Sequence, residues 1–169
     1  MKSFQHEHKG RHFCLLCILQ TLCLLLFGFC VYMGIEYAFR GYSYYTMGLF
    51  GAAAFFLIGK INDRDNIGLL WQGLIGGCLI TLMELIGGSI ILADTGMRMW
   101  DYSDRWMNYR GLICPLFSLC WCLLSVIAAV LDDVLKWILF ADADAYIRIK
   151  TYGLIRAKPF WRERWKKKR

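Results

Sequence analysis

The residues of this chain best suited to chemistry are Trp100-Asp101-Tyr102-Ser103, followed by Asn108, Gly111 and Cys114, and an isolated carboxylate, Glu84, in the apolar run before them. A carboxylate, a phenol, a hydroxyl and an amide so close together can exchange hydrogen bonds, hold a charge and recognise a polar molecule. Glu84 carries the stronger implication, because an ionised group in the middle of a bilayer costs at least ~3 kcal/mol unless it faces a cavity or the interior of a bundle. Two readings of the 100–103 motif stand side by side. In one it is an aromatic belt residue followed by a turn, with Asp101 or Ser103 capping a short helix. In the other, Asp101, Tyr102, Ser103 and Asn108 form a polar network with Glu84.

Glu36 and Arg40 add a second charged pair, four residues apart and so on one helical face if the first apolar segment stays helical. They form either an interfacial ion pair of little consequence or a closure over an outer cavity whose floor is Glu84, roughly 13 Å below Ala93 at helical rise. His6, His8 and His12, with Glu7, Cys14 and Cys17, have metal-ligand chemistry but no second paired cluster to complete a site, so no metal and no cofactor is expected. Phosphate-loop, G-x-S-x-G and H-E-x-x-H patterns are absent. A membrane enzyme acting through Asp101 or Glu84 is the less favoured reading, and a noncatalytic protein is expected.

The elements that must position these groups are membrane helices. Of the 169 residues, 58% are hydrophobic, against roughly 45–50% in soluble proteins. Phe13 to Met33, Ile67 to Leu92 and Gly111 to Leu131 are long enough to span, at about 20 residues per crossing. A fourth, weaker segment, Met47 to Ile58, spans if Tyr42, Tyr44 and Tyr45 sit in the interface. The expected architecture is all-α: a cytoplasmic segment over 1–12, a four-helix transmembrane domain over 13–140 and a basic cytoplasmic tail over 141–169. Val134 to Phe140 is expected to continue the last helix or to bend along the cytoplasmic surface. The first span is read as a membrane anchor, since no small-x-small cleavage pattern closes it.

Basic residues set the orientation. Sixteen Lys and Arg fall in the terminal segments and the middle connection, against four in the other two connections. Both termini are therefore expected in the cytoplasm and the Trp100 motif outside. Gly73, Gly77, Thr81, Glu84 and Gly88 follow steps of three and four, which places them on one face. Gly73, Gly77 and Gly88 are read as helix-packing positions that admit a close neighbour, the second helix being a plausible one. The tail, with Phe160, Trp161, Trp165 and the run Lys166 to Arg169, fits binding to anionic lipid. Nucleic acid is an unfavoured partner, because charge without a folded module offers no means of reading bases. Four helices enclose little, so a homo-oligomer is expected if the protein surrounds a pathway.

In order and spacing, Arg40-Gly41, Glu84-Leu85-x-Gly87, Trp100-Asp101-Tyr102-Ser103 and Asn108-x-x-Gly111-x-Ile113-Cys114 resemble the bacterial membrane family called putative ABC-transporter type IV, over roughly Met33 to Phe140. The resemblance implies a multi-span bacterial plasma-membrane protein. The chain reads Arg40-Gly41-Tyr42-Ser43-Tyr44 where longer relatives continue R-G-F-L-x-G-P, and its basic tail lies outside the resemblance. The expected function is a permease-like component of a transport or export system, with Glu84, Asp101, Tyr102, Ser103, Asn108, Arg40 and Glu36 as binding or gating candidates. Its ATPase would be a separate subunit. The alternative is a non-transporting membrane scaffold or regulatory subunit.

Overall fold

A computed structural model describes residues 2–64 and 67–150, with side chains from 15 through 149. Five helices follow one another: α1 (Lys2–Arg40), α2 (Tyr45–Asn62), α3 (Leu69–Thr95), α4 (Pro115–Phe140) and the short α5 (Ala143–Lys150). The first four are long and apolar enough to cross a membrane, which makes this a multi-pass membrane protein. The α1–α2 and α3–α4 connections lie at one end of the bundle, here the loop end. The α2–α3 connection and α5 lie at the other, the terminal end.

The four long helices form two hairpins. α1 packs along α2 and α3 along α4, while α2 touches both α3 and α4 and α1 meets α4 only slightly. Small residues decide these pairings. A Cβ on Gly28 would lie 2.6 Å from the Phe55 Cβ of α2, and one on Gly73 would lie 2.5 Å from Val126 of α4. Gly77 abuts Cys122 of α4 as well. The glycine face of α3 thus receives chiefly α4, with α2 the lesser neighbour. Gly88 has a different role: beneath it lie Leu112 and Trp100 of the long connection.

α4 runs unbroken through Asp132-Asp133 to Phe140, so 134–140 continue the helix rather than bending away from it. Both carboxylates are buried and have cationic partners. Lys136 Nζ lies 2.7 Å from Asp132 and 2.8 Å from Asp63, and Arg148 Nε lies 2.7 Å from Asp133. Asn62, wholly buried, donates to the Ala129 carbonyl and to Asp132. The opening residues of the expected tail are thereby ordered as α5 and anchored to the bundle through Arg148. The expected lipid-binding stretch from 151 onward lies outside the described residues, as do the side chains of His6, Glu7, His8, His12 and Cys14.

Candidate functional site

The connection from Gly96 to Cys114 is shaped by its own hydrogen bonds. Asp101 accepts hydrogen bonds from the Ser103 backbone N–H, the Ser103 hydroxyl and Arg98. Those bonds from Ser103, with Arg98 beside them, hold the exposed Asp101 carboxyl below its usual range. Asn108 donates to the carbonyls of Ser103 and Arg105 and accepts from the Gly111 N–H. Gly111 has φ +70°, and a Cβ there would sit 2.5 Å from Ser103 Oγ and 2.8 Å from Asp101 Oδ1. Only glycine meets both conditions without strain. Asp101, Ser103, Asn108 and Gly111 therefore shape one compact turn, and none of their side chains is bonded to Glu84.

The folded connection sends two side chains inward. Trp100 is buried, donates from its indole to the Leu112 carbonyl at 2.8 Å and meets Phe50 of α2 edge-on. Tyr102 stacks on Phe117 in the first turns of α4, with ring centroids 4.4 Å apart, and its hydroxyl donates to Glu84 Oε1 at 3.1 Å. Burial and the neighbouring carboxylate push the Tyr102 phenol well above its usual range, so it stays protonated and remains a donor. The second oxygen of Glu84 accepts from Trp121 Nε1 at 2.8 Å. A carboxylate 6% exposed, some 16 Å of helical rise below Thr95, is thus gripped from the loop and from α4.

Glu84 lines a cavity of about 160 Å³ shared by all four long helices, with Tyr32, Phe55, Trp100, Trp121 and Ala128 among its walls. Among the described residues no Lys, Arg or His lines it. Glu36 and Arg40 lie beyond its loop end. Arg40 reaches Glu36 at 3.3 Å and the Met99 carbonyl at 3.0 Å, while Ser43 donates to the other Glu36 oxygen at 2.6 Å. The pair ties the end of α1 to the long connection, and neither residue lines the cavity.

A family model described as putative ABC-transporter type IV matches residues 40–151. The chain belongs to this family. No curated protein and no solved structure matches it. The type IV match begins where α1 ends and continues through α5, further than the motif resemblance reached. It takes in Glu84, the whole 96–114 connection and the ionic cluster of the terminal end, whereas Glu36 lies just before it.

Two groups of residues in this arrangement escaped the sequence reading. Trp121 is one; its signal is an indole two turns inside a span, away from the interface where Trp is favoured, since a buried N–H needs an acceptor. The other is the set Asn62, Asp63, Asp132, Asp133, Lys136 and Arg148. Its signal is Asp132 and Lys136 at i and i+4 in an apolar helix, the spacing of an ion pair.

Proposed function

We propose that this protein is the membrane-embedded part of a bacterial transport or export system, that it hydrolyses no ATP itself, and that a separate subunit supplies the ATPase. The observation that carries the reading is Glu84: a buried carboxylate within a span, lining a cavity, with two neutral donors and, among the described residues, no basic side chain around it. Such a group is retained inside a membrane where it meets cargo or controls passage. Tyr102 then couples it to the long connection, so that movement of the loop and the state of Glu84 are linked. In this reading both termini and the terminal end face the cytoplasm, the basic tail rests on anionic lipid, and copies of the chain associate.

The family description supports the presence of an ATP-hydrolysing partner. The protein isolated with a tag from its native membrane should bring a nucleotide-binding subunit with it, and the ATPase activity of that complex should fall severalfold or more in Glu84→Gln. The second reading, a scaffold or regulatory subunit, is favoured by the self-contained bonding of Asp101, Ser103 and Asn108, which leaves that turn a packing element. Isolation as a stable oligomer of this chain alone, with no nucleotide-binding subunit, would decide for the scaffold.

A further inference from the structure

We propose that the cavity at Glu84 is a binding site for a single-chain amphiphile with a small cationic head, an alkylammonium, admitted from the lipid through the gap between α1 and α4. The proposal rests on the reading of Glu84 as the group that meets cargo. The walls fix the chemistry of the occupant. Among the described residues, apart from Glu84 and Tyr32, the polar side-chain N and O atoms lining the cavity are the two indole N–H groups of Trp100 and Trp121, and these already donate to Leu112 O and to Glu84. The cavity therefore offers a head group one acidic acceptor and little else. Among the described residues Glu84 forms no ion pair, so a cation entering beside it meets an acidic group with no competing basic side chain.

The aromatic rings point the same way. Tyr32 and Trp121 lie near-parallel with centroids 6.3 Å apart, both lining the cavity with Glu84. Ring faces attract a cation electrostatically and still present an apolar surface to methylenes. An anionic head would be repelled by the carboxylate, and a neutral one would gain no charge attraction from it.

Size and access fix the tail. A volume of about 160 Å³ is close to the ~150 Å³ of an apolar cavity that takes up a benzene molecule. It accommodates an ammonium group and several methylenes but not a whole lipid. The remaining chain must leave by an apolar route, and one is present. α1 and α4 have few contacts, the Tyr32–Trp121 pair among them, and the cavity wall includes Val31 of α1 and Ile127 of α4, which are 39% and 53% exposed on the lipid-facing surface.

The test uses the full chain in phosphatidylcholine nanodiscs and tritiated dodecylammonium, with empty discs subtracted. Saturable binding of one molecule per chain is expected, displaced by unlabelled dodecylammonium and at least tenfold less well by dodecanol or dodecyl sulfate. Glu84→Gln should weaken binding at least tenfold, Glu84→Asp should retain most of it, and Ala128→Leu, which fills the cavity, should abolish it. No saturable binding, equal displacement by dodecanol, or full retention in Glu84→Gln would each overturn the proposal. The wild-type displacement series decides the matter even if a variant folds poorly. Absence of a nucleotide-binding subunit defeats the transport reading and leaves a positive binding result standing, whereas loss of head-group preference in a complex that still responds to Glu84→Gln defeats only the ligand class.

Discussion

At the scale of single residues the long connection depends on local hydrogen bonds that solution conditions can break. Asp101 accepts three of them, and its carboxyl is held below the ordinary value near ~4. A carboxylate with a depressed folded value contributes stability that is fully present above its unfolded value and is lost as pH falls through the folded one. Protection of the Ser103 amide from hydrogen exchange should therefore hold at neutral pH and fail only below about pH 4. Asp101→Asn should lower that protection at neutral pH and flatten its acid dependence; an unchanged Ser103 amide in the variant would show that the turn is held by other means. Tyr102→Phe is a cleaner change, since the ring can keep its stack on Phe117 while Glu84 loses one donor. Hydrogen bonds to a charged partner are worth about 1.5–3 kcal/mol, and thermal unfolding in a mild detergent should show a loss of that order. Trp121→Phe should behave similarly, because each donor serves a different oxygen of the same carboxylate.

At the scale of elements, the terminal end is where α2, α4 and α5 are fastened together. Lys136 lies between Asp132 and Asp63, with Lys136 and Asp132 almost fully buried, and Arg148 brings α5 onto Asp133. Removing one member of such a buried pair strands a charge, at a cost of about 3–5 kcal/mol, while replacing both with apolar or neutral groups is often close to neutral. Lys136→Met should therefore lower stability by about that amount, and adding Asp132→Asn should recover much of it; a double-mutant cycle followed by thermal unfolding reads the coupling directly. Additive losses would mean that Lys136 answers to Asp63 rather than Asp132. The helices themselves were legible because their signals are local: hydropathy for the spans and the glycine spacing of α3. The fastening was not, since Asp63 and Lys136 are brought together by the packing of α2 against α4, which no short window of sequence encodes. For the same reason Asp132-Asp133 read only as the end of the membrane span, with the chain after it left to continue the helix or to bend. Two acidic residues at the close of an apolar run ordinarily meet water, and here Lys136 and Arg148 are the partners that let both carboxylates stay buried.

At the scale of the whole molecule, the bundle is an apolar slab between two polar layers of different character. On α4 the distance from Cys114 at the loop end to Asp132 at the terminal end is about 27 Å of helical rise, close to the ~30 Å hydrocarbon thickness of a bilayer. Among the described residues Glu84 is the acidic side chain left well inside that slab, and the sequence singled it out for that reason. Its companions were harder to read: Tyr102 comes from the connection after α3 and Trp121 from the next helix, so the site exists only once the α3–α4 hairpin has closed. The two layers also differ in charge. The loop end combines Arg40, Arg98, Arg105 and Arg110 with Glu36, Asp101 and Asp104, whereas the terminal segments and middle connection hold the other sixteen basic residues. Basic residues near span ends are retained on the cytoplasmic side, so the terminal end should face the cytoplasm. A reporter active only in the cytoplasm should work when fused after Arg169 and fail when inserted at Asp104, and a reporter active only outside should give the reverse. An even number of spans requires the two termini to agree, so a fusion at each terminus tests the four-span topology at the same time. Cytoplasmic activity at Asp104 would invert the molecule and place the Tyr102 connection on the side where a nucleotide-binding partner would dock.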